Sequence, residues 1–335
     1  MEYWVREEGV FHYSNTPSLQ YSNHLAMTDA DLLKELSLIA GLKVKTNERL
    51  ARYTSMKIGG PADYFLEVHD DAALRQLLLL LGRRGMVVCP LGNGSNVLIS
   101  DRGVRGAVIH LAGDFKRVEW NADEAGAWAE VGAAYPVTQL VREAVRRGYG
   151  GLEFAEGIPG TMGGALVMNA GAYGSEFERI VDQVEGVTPA GEAGRFTRTQ
   201  MNFTYRESNL PPGMVVTRVR LRLSKDEAAR VTSKLRELVT RRKSSQPSGR
   251  PNSGSMFRNP PGDYAGRLIE AAGLKGRRKG QAQISERHAN FIVNLGGANA
   301  DDVRQLMNLA RAEVERCFGV ELVAEVKYLG EWPED

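Results

Sequence analysis

The sequence predicts an α+β protein of more than one domain, and three observations carry that prediction. Its 335 residues are enough for two or three domains with a sizeable core. Through about residue 222, short β-type runs are interrupted by a few strongly periodic helices. Near residue 224 the texture changes to a charged helix, a long turn-rich segment, and then a second set of helix and strand signals.

A helical pattern through Leu32, Leu33, Leu36 and Ile39 stops at Gly41. "TSMKIGGPADYFLEV" (54–68) reads as a turn at the glycines followed by a strand, and "LRQLLLLLGRR" (74–84) as a packed helix. "MVVCPLGNGSNVLIS" (86–100) is strand, glycine loop, strand; "GAVIHLAG" and "AWAEVGAA" add further strands. "PVTQLVREAVRRG" (136–148) carries Pro136 in its first turn and Val137, Leu140, Val141, Ala144 and Val145 on one face. Strands follow around 181–188 and 214–223. Beyond them come an amphipathic helix "SKDEAARVTSKLRELVTRRK", the turn segment "SSQPSGRPNSGS" (244–255) and the helix "YAGRLIEAAG" (264–273). The strand "ANFIVNLG" (289–296) comes next. A helix then gathers Val303, Leu306, Met307, Ala310, Val314, Cys317 and Phe318 on one face. The last strand, 319–330, alternates, with Val320, Leu322, Ala324, Val326 and Tyr328 on one side and Glu321, Val323, Glu325 and Lys327 on the other.

The composition is that of an ordinary globular protein, 42% hydrophobic and 25% charged, and a net charge of +2 offers no pull toward a polyanion. No run approaches the roughly 18 apolar residues a membrane span needs. Cys89 and Cys317 both stand in apolar contexts and read as buried, reduced thiols, which favours a cytoplasmic protein. Residues 1–28 show no periodicity and no signal-peptide pattern. They are expected to be a disordered leader, or upstream sequence translated from an early start, with Met27 as the candidate true start.

Two glycine-rich turns stand out, "LGNGSN" (91–96) and "GIPGTMGG" (157–164), the second opening the stretch that runs to "NAGAYG". Both are embedded in apolar β-type sequence, which a flexible linker would not be. Successive N–H groups in such turns form nests for phosphate oxygens, and Ser95, Asn96, Thr161 and Asn169 add donors without a competing carboxylate. A diphosphate-bearing cofactor is the favoured reading; tight turns serving packing alone are the bland one. The glycine spacing fits neither the GxGxxG fingerprint nor GxxxxGK[ST], so neither a Rossmann dinucleotide site nor a P-loop is indicated.

Six segments in order, "TSMKIGGPADYFLEV", "PLGNGSNVLIS", "GLEFAEGIPGTMGGALVMNAGAYG", "FTYRESNL", "GSMFRNP" and "GVELVAEVKYLGEW", resemble the UDP-N-acetylenolpyruvoylglucosamine reductase family from about residue 30 to 330. The resemblance implies a two-lobed FAD-binding domain of the vanillyl-alcohol-oxidase (PCMH) type at 29–222, with lobes of about 29–110 and 111–222. A smaller α/β substrate-binding domain would follow at 223–330. It implies noncovalent FAD, NADPH as reductant, and reduction of the enolpyruvyl ether of UDP-N-acetylglucosamine to UDP-N-acetylmuramate for peptidoglycan synthesis. Hydride passes from flavin N5 to C3 and a proton to C2. A monomer acting on small molecules is expected, with no nucleic-acid or membrane partner and no metal.

Carried over residue by residue, the family's cofactor contacts fall on Gly92, Asn93, Gly94, Ser95, Asn96, Gly157, Ile158, Pro159, Gly160, Thr161, Gly163, Gly164, Asn169, Ala170, Gly171 and Tyr173. Its catalytic arginine falls on Arg206, its proton-donating serine on Ser255 and its C-terminal glutamate on Glu325; substrate contacts fall on Tyr205, Asn259, Lys275 and His288. These types suit the chemistry. Hydride addition at C3 throws charge onto C2 and its carboxylate, which calls for a bidentate cation and a nearby acid. Without the resemblance, Arg206 is a loop arginine, Ser255 one of several turn serines, and Glu325 part of a solvated face with Glu321 and Lys327. His288 reads equally well as a packed or exposed histidine. The basic run "KGRRKG" (275–280) attracts UDP phosphates or merely solubilises a loop. The chain resembles the subtype that lacks a substrate-capping tyrosine loop, because no tyrosine follows Tyr205 before the turn segment. Two competing readings stay open: another FAD-dependent oxidase or dehydrogenase of the same fold, and a flavin-less sugar-nucleotide-binding protein.

Overall fold

A computed structural model describes residues 5–7, 10–12, 29–124 and 126–333. The expectation for residues 1–28 therefore lies outside the described residues, apart from the antiparallel backbone pair Val5–Glu7 and Val10–His12.

The first lobe is a four-stranded sheet in the order Leu42–Arg49, Pro61–Val68, Val104–Leu111, Val88–Pro90. Alternation splits it into two faces. Leu66, Val68 and Ile109 meet Leu32 and Leu36 of helix Asp29–Ser37 and Leu74, Leu77, Leu78 and Leu81 of helix Asp71–Arg83. Asp70 caps the second helix by accepting from Ala73 N–H at 2.9 Å. The opposite face packs Phe65, Val108 and Cys89 with Ile99. Burial pushes the Cys89 thiol up to about 12, which keeps it protonated and inert. Cys317, expected to be buried, is exposed: the periodic face of its helix closes at Val314, leaving the final turn in solvent.

The second lobe is an antiparallel sheet ordered Ala193–Thr197, Val181–Val187, Val215–Lys225, Gly126–Gly132, Val118–Asp123, with Tyr149–Gly150 pairing the end of the long strand. Helix Val137–Arg146 lays Val137, Leu140, Val141, Ala144 and Val145 on this sheet, the face its 3.6 period marks out. Helix Ala228–Ser245 also docks here, through Val231 and Leu235. In sequence it heads the unit at 223–330, but its packing partner is the second lobe; a helical period shows which face is apolar and not what covers it.

The C-terminal unit stacks a sheet ordered Asn252–Ser255, Phe291–Asn294, Ala282–Ile284, Arg278–Lys279 on helices Ala265–Ala271 and Ala300–Phe318. A capping box between Asn299 and Asp302 opens the long helix, and Gly319 at φ 64° closes it. Asp101 of the first lobe also accepts from Ala300 N–H at 2.8 Å.

The final strand is shorter than its alternation suggests. Only Lys327–Leu329 is a strand, and it pairs in parallel with Val97–Ile99 of the first lobe, while Ala324 bridges to Phe257. On the predicted apolar side, Leu322, Ala324, Val326 and Tyr328 are buried, while Val320 at its start is only partly buried against the same core. Because this return connection follows the glycine turn 91–96, it brings the C-terminal segment to that turn. Among the described residues no helix is long and apolar enough to cross a membrane.

Candidate active site

The two glycine turns meet. Ser95 Oγ donates to the Pro159 carbonyl at 2.9 Å. A Cβ at Gly92 would lie 2.5 Å from Thr161 Oγ1, and one at Gly160 would lie 2.8 Å from Ser95 Oγ. Gly94 has φ +53°, and its Cβ would stand 2.4 Å from the Tyr53 carbonyl, so position 94 demands glycine on both counts. The backbone N–H groups of Gly92, Asn93, Gly94, Ser95 and Asn96 have no acceptor among the described residues, nor do those of Gly157 and Gly160. Donors left open on two apposed turns, free of carboxylates, fit a cofactor diphosphate.

Other expected cofactor positions serve the protein itself. Gly163 N–H donates to Ala133 O at 2.8 Å, and Ile158 N–H to Ala155 O at 3.0 Å. Thr161 Oγ1 accepts from Gly164 N–H at the start of helix Met162–Val167. Asn169 is fully buried at φ 38°; its amide donates to Thr204 O at 3.0 Å and its oxygen accepts from Glu178 N–H at 3.0 Å. It shapes the loop on which Ala170, Gly171 and Tyr173 follow. Tyr173 donates from its hydroxyl to Leu238 O at 3.4 Å.

The structure brings the three expected catalytic segments together. Arg206, held at φ 60°, donates from Nε to Glu325 Oε1 at 3.1 Å and from Nη2 to Gly171 O at 2.9 Å, and its guanidinium lies 4.8 Å from the Tyr205 ring centroid. Glu325 N–H donates to Met256 O at 2.8 Å, which fastens its backbone beside Ser255. Asn96 at the end of the first glycine turn donates from Nδ2 to Glu325 O at 3.1 Å, and its own carbonyl accepts from Lys327 N–H at 3.0 Å. Burial pushes the Glu325 carboxyl above the usual carboxylate range, against the pull of the Arg206 charge and hydrogen bond and of Arg258.

The substrate candidates divide. Tyr205 is 46% exposed and stacks on Arg206. Asn259 instead accepts from Ala265 N–H at 3.1 Å at the head of a helix, and Lys275 pairs with Glu270 at 2.6 Å. His288 packs edge-on to Phe291, the cross-strand partner of Ser255, and Nδ1 accepts from Asn290 N–H at 3.2 Å. Burial, then the nearby Lys275, keeps this imidazole below its usual pKa and favours the neutral ring.

Comparison with known proteins identifies the family. A family model described as the C-terminal domain of UDP-N-acetylenolpyruvoylglucosamine reductase matches residues 246–329, and one described as an FAD binding domain matches residues 62–197. A UDP-N-acetylenolpyruvoylglucosamine reductase 2 from Symbiobacterium thermophilum is 47% identical over 292 residues, covering 87% of this chain and 94% of that protein. The chain belongs to the UDP-N-acetylenolpyruvoylglucosamine reductase family. A family member from Rubrobacter xylanophilus is 45% identical over 86% of this chain and 95% of its own. The crystal structure of the reductase from Thermus caldophilus superposes with a TM-score of 0.73 at 38% identity, covering 86% of this chain and 98% of that one. The protein is thus an FAD-binding oxidoreductase, with the α+β architecture expected of the family.

Several features around the candidate site were not anticipated. Helix Ala228–Ser245 ends over the second glycine turn: Arg242 Cδ lies 2.7 Å from where a Gly157 Cβ would be, and Nη1 donates to Glu156 O at 3.4 Å. Arg242 makes no salt bridge among the described residues, and burial lowers its pKa against the opposing pull of Tyr173 and Glu156. Arg241 lies 5.4 Å from the Tyr173 ring centroid. In sequence, "RRK" at a helix end reads as a solvated complement to the helix dipole. A cleft of about 510 Å³ opens beside this end, lined by Arg250, Arg278, Arg287, Gln283, Ser285 and Val293 among others. Arg287 Nη1 donates to Lys243 O at 3.0 Å, joining the cleft to the same helix. Ser255 pairs with Phe291, and Gln283 pairs with Val293 two residues along that strand. Cross-strand partners share a face, so Ser255 and the cleft open to the same side of the sheet.

Proposed function

We propose that the protein uses NADPH to reduce the enolpyruvyl ether of UDP-N-acetylglucosamine enolpyruvate, giving UDP-N-acetylmuramate. The observation that carries the reading is the Arg206–Glu325 pair, fastened on one side to the segment bearing Ser255 and on the other to the glycine turn.

Bound FAD would supply a two-electron carrier able to accept hydride from NADPH and deliver it to the substrate. The open N–H groups of residues 92–96, 157 and 160 would hold its diphosphate. Two of the five N–H donors of Arg206 are spent on Glu325 and Gly171, which leaves three for the substrate carboxylate as its charge grows. The Ser255 hydroxyl stands on the strand beside this pair and donates the proton that C2 requires. Glu325, anchored by its backbone and raised by burial, orients Arg206 and is suited to returning a proton toward Ser255. The nucleotide end takes the basic cleft. Arg242, a half-buried cation with no salt-bridge partner among the described residues, faces the anionic substrate where the subtype lacks its tyrosine loop. Tyr205, Asn259, Lys275 and His288 complete the substrate contacts; Lys275 must release Glu270 to reach a phosphate.

The test is direct. Purified protein loaded with FAD, given NADPH and UDP-N-acetylglucosamine enolpyruvate without oxygen, should form UDP-N-acetylmuramate with one NADPH consumed per product. NADPH oxidation that needs oxygen and is indifferent to the enolpyruvyl substrate would overturn the reading.

A further inference from the structure

The first glycine turn does more than present N–H groups: it is tied to both segments that carry the acid–base groups. Ser55 N–H donates to Gly94 O at 3.1 Å, while Ser55 Oγ donates to Asn252 O at 2.7 Å. Asn252 begins the short strand that ends at Ser255, so one residue spans from the turn to the serine strand. Asn96 makes the second tie, with its side-chain amide on Glu325 O and its carbonyl taking Lys327 N–H. Between the two ties, Glu325 N–H closes the loop on Met256 O. The turn itself has little freedom, since Gly94 is pressed on the Tyr53 carbonyl and the Thr54 backbone. Ser253 Oγ on Val97 O at 3.4 Å and Asn294 Nδ2 on Met56 O at 3.0 Å run alongside as parallel seams.

We propose that Ser55 and Asn96 are positioning residues: through them the cofactor-binding turn sets where Ser255 and Glu325 stand, so that binding of the cofactor diphosphate is coupled to order in the acid–base pair. The inference rests on the reductase reading given above and adds to it. Neither side chain need touch the substrate. Removing the Ser55 hydroxyl loosens the serine strand from the turn, leaving the Ser253 bond to Val97 O; removing the Asn96 amide frees the Glu325 carbonyl, although the backbone bond from Lys327 remains. Misplacing a catalytic group by about 1 Å costs on the order of 100-fold in rate. Flavin reduction by NADPH uses neither Ser255 nor Glu325 and is left alone.

The experiment compares Ser55→Ala, Ser55→Thr, Asn96→Ala and wild type, each loaded with FAD. Anaerobic stopped flow should show flavin reduction by NADPH within about threefold of wild type in Ser55→Ala and Ser55→Thr. Reoxidation by UDP-N-acetylglucosamine enolpyruvate should fall roughly 10- to 100-fold in both alanine variants and recover in Ser55→Thr, which keeps the hydroxyl. Two readouts need no turnover. Titration of apoprotein with FAD by flavin fluorescence should give affinities within about threefold of wild type for Ser55→Ala. Hydrogen exchange should show that FAD protects the amides of Glu325 and Lys327 in wild type and fails to do so in the alanine variants. Unchanged reoxidation in both alanine variants overturns the proposal, as does equal protection of those amides in all four proteins. A wild type whose reduced flavin ignores the enolpyruvyl substrate sinks the functional reading instead; the exchange result then still decides the coupling.

Discussion

Replacing Arg206 by lysine keeps the charge and removes the fork, and the structure says what that should cost. Arg206 reaches Glu325 from Nε at 3.1 Å and Gly171 O from Nη2 at 2.9 Å, two acceptors that one ammonium on a flexible stem cannot serve together while also meeting a substrate carboxylate. The positive φ of 60° is an equal burden for both residues, so backbone strain drops out of the comparison. For folding, one charge-assisted hydrogen bond is lost while a cation stays beside the half-buried carboxylate, which costs about 1.5–3 kcal/mol. For reduction, the loss is of the donors that strengthen as charge develops, and removing one such donor costs roughly 100- to 1,000-fold in rate. The assay is single-turnover reoxidation of the reduced enzyme by UDP-N-acetylglucosamine enolpyruvate, with thermal unfolding in parallel. Flavin reduction by NADPH should be untouched. Reoxidation within about threefold of wild type would refute the clamp, because a point charge would then do all that the guanidinium does.

Three further outcomes follow from the same geometry. Glu325 is raised in the fold, so its contribution to stability is fully present below its unfolded value near 4.5 and is lost as pH rises through the higher folded value; thermal scans across that window should show Glu325→Gln gaining on wild type as pH increases. A Gly94→Ala chain meets both a φ of +53° and the Tyr53 carbonyl at 2.4 Å, and it should fold with little or no bound flavin, read from the flavin absorbance of the purified protein. A thiol reagent added to the native protein at neutral pH should modify Cys317 and leave Cys89 unmodified, with both reacting after denaturation, as mass spectrometry of peptides would show.

Local chemistry was legible where one element decided the matter. Helix Val137–Arg146 buries the five residues its period picks out, and the glycine turns announced themselves by composition before anything was known of their neighbours. What escaped was whatever a second element supplies. Alternation put Glu325 on a face with Glu321 and Lys327, and only the approach of Arg206, 119 positions away, turns that site into a half-buried pair. The charged helix Ala228–Ser245 carries a single buried residue, Val231, too little pattern to name the second lobe as its partner or to place Arg242 against Gly157. Asn169 looked like a cofactor donor because asparagine in a glycine loop often is one; here both ends of its amide are taken by backbone groups. Cys317 shows the same limit at smaller scale, since its helical face runs one turn past the core that covers it.

The central claim is that Ser255 gives its proton to the carbon left by hydride transfer, beside Arg206 and Glu325. Anaerobic stopped flow on Ser255→Ala tests it most directly, with NADPH first and UDP-N-acetylglucosamine enolpyruvate second. The account predicts flavin reduction at the wild-type rate and reoxidation slowed by at least about 100- to 10,000-fold, the scale of a lost general acid. Reoxidation at the wild-type rate, or equal slowing of the two steps, would contradict it.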